Sequence, residues 1–92
     1  MKYHKGDWVK IVKRFPAEEH PFWVFGMNST LGKIGRICFR GKSCCHVYIY
    51  NDDGSINGDW SYKEESFGKP RKEELKIIEF VVHIKGDQRE VL

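Results

Sequence analysis

The residues best equipped for chemistry crowd into "ICFRGKSCCHVYIY", residues 37–50, where Cys38, Cys44, Cys45 and His46 are natural metal ligands. Structural zinc needs four nitrogen or sulfur atoms converging on one point, usually from C-x-x-C knuckles. In this stretch the paired cysteines are adjacent, and neighbouring side chains of an extended segment point to opposite faces. No metal and no other cofactor is expected. The same alternation separates a Cys44 or Cys45 thiol from the His46 imidazole, although a nucleophile and its base must meet at one reacting atom. His4, His20, His46 and His83 are spread along the chain, and a domain this small has little room for a catalytic cleft. The chain is predicted not to be an enzyme. "NDDGSINGD", residues 51–59, has a calcium-loop look, but aligning Gly54 with the invariant glycine puts Ile49 at the first ligand position and Trp60 where the bidentate Glu belongs. A hairpin turn is expected there instead.

Binding chemistry is better represented. Lys33, Arg36, Arg40 and Lys42 stand beside His46, Tyr48 and Tyr50, a mixture that could neutralise phosphates and stack on unpaired bases. With Trp8 and Trp60, the same aromatic and arginine side chains are those that dominate protein interfaces. A net charge of +3 is too small by itself to imply a polyanionic partner. Its distribution is uneven: residues 33–42 carry four basic groups and no acid, whereas Asp52, Asp53, Asp59, Glu64 and Glu65 fall within residues 51–66. One basic and one acidic end are expected. Trp23, Trp60 and Tyr62 are large enough to serve as core, so Trp60 is open between core and partner binding.

The elements that must position these groups read as strands. "DWVKIVKRF", residues 7–15, alternates Val9 and Ile11 with Lys10 and stops at Pro16. Residues 16–31 hold Pro16, Pro21, Gly26 and Asn28-Ser29-Thr30, which exclude a long helix or regular strand. This is a loop whose Trp23 and Met27 are expected to fold over the core. "GKIGRICFR", residues 32–40, places Gly35, Ile37 and Phe39 on one side and Arg36, Cys38 and Arg40 on the other. "CCHVYIY", residues 44–50, returns antiparallel with Cys45, Val47 and Ile49 inward and His46, Tyr48 and Tyr50 outward. Asp53-Gly54 and Asn57-Gly58 both favour positive φ and predict a tight return into a fourth strand, "DWSYK". Residues 64–74 read as a turn. "LKIIEFVVHI", residues 75–84, has Leu75, Ile78 and Val82 at helical spacing, but its β-branched content predicts a fifth strand.

At 92 residues the chain is expected to be a single domain, with 85–92 a frayed tail. Aromatic residues make up 14%, enough to fill a thin core with a few large side chains. The N-terminal residues hold no apolar run that could be a signal peptide, and an odd number of cysteines is a poor disulfide framework. A cytoplasmic location is predicted.

"KGDWVKI", Trp23 and Met27 before "LGKIGRI", a paired strand ending at Tyr50, and "WSY" followed by Glu65 resemble the SH3-like barrels of the Mind bomb repeat family. They are also similar to short SH3-like proteins of bacteria and phages and, more distantly, to KOW modules. The resemblance covers about residues 5–67 and implies an all-β fold, a small SH3-like barrel of about five antiparallel strands with a long first loop. It implies a non-catalytic binding module, bacterial or phage-encoded as an accessory or inhibitor protein, that recognises a protein or peptide. The expected contact residues are Trp8, Arg36, Arg40, Lys42, His46, Tyr48, Tyr50 and Trp60. The KOW likeness implies the alternative, RNA or DNA binding through the same face. After "WSY" the chain departs from the pattern, since "KEESFGKPRKEE" precedes a long apolar run. That run suggests a further alternative, a homodimer through residues 75–84. No membrane association is expected.

Overall fold

The computed structural model describes residues 3–14 and 23–84. In chain order they form β1 (Trp8–Ile11), β2 (Ile34–Arg40), β3 (Cys45–Tyr50), β4 (Ile56–Tyr62), β5 (Phe67–Gly68) and α1 (Lys72–Ile84), with 3₁₀ turns over Phe25–Thr30 and Glu64–Ser66. The strands make one antiparallel sheet in the order β4-β3-β2-β1-β5. This is the expected small all-β domain, with one helix laid on it. No ladder joins β4 to β5, so hydrogen bonds do not close the sheet into a barrel.

Alternation generates the inner core. Val9, Ile11, Ile37, Cys45, Val47, Ile49, Tyr62 and Phe67 point to one side and are buried, each large aliphatic among them contributing about 1.5–3 kcal/mol. Gly35 completes this row because the strands crowd together there: a Cβ on it would come within 2.6 Å of the Tyr48 carbonyl oxygen. The first loop then covers the open side, as its sequence predicted. Trp23 and Met27 are buried in the same cluster, Trp23 meets Tyr62 edge-on at 5.7 Å, and its Nε1 donates to Asn28 Oδ1 at 2.9 Å. Deep in the core the Tyr62 hydroxyl donates to Thr30 Oγ1, which donates to the Met27 carbonyl, both at 2.7 Å. Burial pushes the Tyr62 phenol up to about 12. The first strand is shorter than the predicted 7–15: it ends at Ile11, and residues 12–14 lie outside it. Residues 15–22 and the tail 85–92 lie outside the described residues.

The largest correction concerns residues 75–84, which belong to a helix rather than a strand. Periodicity overrides β-branched propensity here because Leu75, Ile78 and Val82 form one stripe that the outer face of the sheet can bury. Ile78, Ile34 and Tyr50 make a second buried cluster, flanked by Trp8, Tyr48, Ile56, Leu75 and Val82. Pro70 precedes the residue that caps the helix, Arg71, whose N donates to Glu74 Oε1 at 3.1 Å, half of a capping box. Glu73 and Glu74 occupy its positive first turn. Lys10 Nζ bonds Glu74 Oε2 at 2.8 Å and ties the helix to β1. At the other end Gly54, at φ 85°, brings the β3–β4 turn so close that a Cβ would meet Val81 Cγ1 at 2.7 Å.

With the helix assigned, the fifth strand is the short Phe67–Gly68, reached through a 3₁₀ turn inside the segment read as a turn. β4 also starts earlier than expected. Gly58 is not in the positive-φ region; it pairs with Ile49, while Tyr50 pairs with Ile56, leaving Asn57 as a bulge. The tight return therefore uses Asp53-Gly54 alone. Among the described residues no helix is long and apolar enough to cross a membrane.

Candidate functional site

The outer face of the sheet is built in transverse rows. In the first, Lys10, Ile34, Tyr50 and Ile56 stand side by side on β1 to β4, and α1 lies over them. Tyr50 is 2% exposed, so this predicted contact residue is instead an anchor for the helix. The next row is Trp8, Arg36, Tyr48 and Asp59, at the margin of the helix and half-buried or exposed. The third is Phe39, His46 and Ser61, beyond the helix. Together the second and third rows make one continuous face.

A bulge in β2 decides which residues reach it. Ile37 pairs with Val47, but Phe39 pairs with His46 and Arg40 with Cys45. One extra residue, Cys38, reverses the alternation, so Phe39 turns outward and is 64% exposed, contrary to its predicted inward position. Arg40 shifts to the row of Cys45 and leaves the face of Arg36. Lys42 sits in the β2–β3 turn, exposed. Trp60, open between core and partner binding from the sequence, goes to the core: it pairs with Val47 and packs against the inner cluster, its ring against the backbone of Gly26 and Gly58. Its Nε1 is buried without a hydrogen-bond partner among the described residues. Of the eight predicted contact residues, Trp8, Arg36, His46 and Tyr48 share the uncovered face.

These groups are held in place. The Arg36 guanidinium lies 5.4 Å from the Trp8 ring centroid, a cation–π contact, and its Nε donates to the Gly6 carbonyl at 3.1 Å. Trp8 in turn leans on Tyr50 at 5.6 Å. His46 Nε2 is 3.2 Å from Asp59 Oδ2, and His46 Nδ1 is 3.1 Å from Ser61 Oγ. Asp59 on Nε2 and the Ser61 hydroxyl on Nδ1 hold the ring from both nitrogens and fix its orientation. Phe39, Asp59 and Ser61 were not among the predicted residues. The alternation of Asp59 and Ser61, matched to Tyr48 and His46 across the strand pair, was the signal for two of them. Phe39 depends on a bulge that composition does not mark.

The chemistry of the face is aromatic and balanced. Arg36 is opposed by Asp59 in the same row, and the predicted basic cluster is split by the register: Lys33 adjoins the acidic turn of Asp52 and Asp53, while Arg40 and Lys42 lie at the opposite end near Glu64 and Glu65. The separation into a basic and an acidic end does not hold. Cys38, Cys44 and Cys45 are free thiols. Burial pushes Cys38 and Cys45 above the ordinary thiol range, which disfavours the nucleophilic thiolate. Among the described residues no group of three or more His, Cys, Asp or Glu side chains could hold a metal ion. Compared with known proteins, the chain matches no family model, no curated protein and no solved structure.

Proposed function

We propose that this chain is a non-catalytic binding module that recognises a protein or peptide surface through the uncovered half of its outer sheet face. The observation that carries the reading is the pair of rows Trp8, Arg36, Tyr48, Asp59 and Phe39, His46, Ser61. Trp8, Arg36 and Tyr48, preset by their own neighbours, lose little freedom on binding, and with exposed Phe39 they are the kinds of side chain from which interface hot spots are made. Asp59, at the β4 end of the second row, puts a carboxylate on the face, which disfavours a phosphate backbone and favours a protein partner. The strand order, the long first loop and the 3₁₀ turn before a short last strand support the SH3-like reading of the sequence. A cytoplasmic location, as a bacterial or phage-encoded accessory or inhibitor protein, is part of the same proposal; the free thiols support the compartment.

The nucleic-acid alternative keeps one favourable observation: exposed Phe39 adjoins Arg40 and Lys42 at the hairpin end. The dimer alternative moves from a strand to the outward side of α1, where Ile77 and Phe80 are exposed. A photo-crosslinking benzoylphenylalanine in place of Tyr48, irradiated in a lysate of the native host, separates the three. A heterologous protein adduct is expected. An RNA or DNA adduct, or no adduct beside a chain that is dimeric in solution, would overturn the proposal.

A further inference from the structure

Trp8 belongs to a second feature, a groove of ≈ 580 Å³ lined by Tyr3, Gly6, Asp7, Trp8, Lys69, Pro70 and Leu75. Its volume suits an apolar anchor with its flanking residues, and its walls are fixed by the scaffold. Tyr3 packs edge-on against the core residue Phe67 at 5.3 Å. Trp8 is braced between Arg36 and Tyr50. On the far side Pro70 is buried, and Leu75 packs into the cluster beneath α1. Gly6 is held at φ 94° by the hydrogen bonds of its turn, its N–H donating to the Ile37 carbonyl at 2.7 Å.

The charges around the groove differ in one respect. Asp7 Oδ2 already accepts the His4 N–H at 2.9 Å. Glu74, just behind Leu75, is taken up by Lys10 and Arg71. Lys69, exposed at the rim, enters no ion pair among the described residues. Exposed Lys72 begins the helix beside it. Glu74 is neutralised by Lys10 and Arg71, whereas Lys69 and Lys72 enter no ion pair among the described residues, so an entering segment meets apolar walls and, at the Lys69 edge, a positive charge.

We propose that this groove takes an acidic peptide segment, inserting an apolar side chain between Tyr3 and Trp8 on one side and Pro70 and Leu75 on the other, with a carboxylate against Lys69. The assignment rests on the reading of the chain as a peptide-binding module and names the partner chemistry next to its aromatic face. A phage-displayed library of random dodecapeptides, panned on the immobilised full chain, tests it. Enriched peptides are expected to pair an aromatic or aliphatic residue with Asp or Glu. Their affinity should fall by about ten-fold or more in Lys69→Glu, as removal and reversal of one charge partner requires, and be unchanged in the charge-matched control Lys42→Glu. Both positions are exposed, so folding is not at stake. An empty selection, enrichment without acidic residues, or binding indifferent to Lys69→Glu overturns the groove assignment. Peptides lost in Phe39→Ala but retained in Lys69→Glu would overturn the groove and leave the sheet-face reading standing; peptides sensitive to Lys69→Glu, with no protein crosslink from position 48, would do the reverse.

Discussion

The two halves of the outer sheet face are made by the same strands yet have opposite fates. Tyr50 and Tyr48 are two residues apart on β3 and point the same way; one is buried under α1, the other stands at the helix margin. Ile34 and Arg36 repeat the contrast on β2. What separates a core residue from a surface residue here is where a helix of 13 residues stops covering the sheet, not the type of the side chain. An aromatic strand face becomes a binding surface only where the packing element runs out.

Truncations on the two sides test this contrast most severely. Tyr50→Ala should cost about 3–5 kcal/mol, the usual range for removing a buried aromatic ring, whereas Tyr48→Ala, at the margin, should cost clearly less in the same urea titration. Equal costs would mean that α1 does not divide the face as described. On the inner side Gly35→Ala should destabilise by about 1–3 kcal/mol, the penalty of overpacking, because the new methyl would press on the Tyr48 backbone. A neutral substitution would show that the strands are not crowded at that point.

Smaller effects sharpen the picture of what holds loop and helix in place. Tyr62→Phe removes the hydroxyl that joins the sheet to Thr30 and should cost about 1 kcal/mol. The phenol is raised from its ordinary value of 10.0 to about 12, so folding favours its protonated form. That contribution is fully present below pH 10 and is lost as pH rises through about 12, and wild type should lose more stability than Tyr62→Phe across this window. Glu74 titrates with the opposite sign. Its bond to Lys10 is the main cause that holds it down, from 4.5 to about 2. Its contribution is present above the ordinary carboxylate value and disappears as pH falls towards about 2, so acid unfolding of Glu74→Gln should be flatter through this range. The smallest effect on stability is expected at Phe39, where truncation to Ala should stay within about 0.5 kcal/mol because the ring is exposed.

Much of the scaffold was legible because its determinants are local. Alternation in β1 and in the β2–β3 hairpin, the turn signal of Asp53-Gly54, and the apolar anchors Trp23 and Met27 each act within a few residues. The helix was harder to read because two local rules conflict over residues 75–84, and the conflict is resolved by a tertiary contact with Ile34 and Tyr50. The candidate site was partly legible for the same reason. Trp8, Arg36, His46 and Tyr48 follow from simple alternation, whereas Tyr50 was misplaced by packing, which also decides the open case of Trp60, and Phe39 and Arg40 by a single-residue bulge at Cys38.

The most direct test of the central claim is partner capture by the full chain carrying Phe39→Ala and His46→Ala together, compared with wild type and with Ile77→Ala on the exposed side of the helix. All three proteins should be folded. If the uncovered sheet face is the binding surface, the protein captured from the native host by wild type and by Ile77→Ala will be lost from the double variant. Undiminished capture by the double variant, or loss only in Ile77→Ala, would contradict the account.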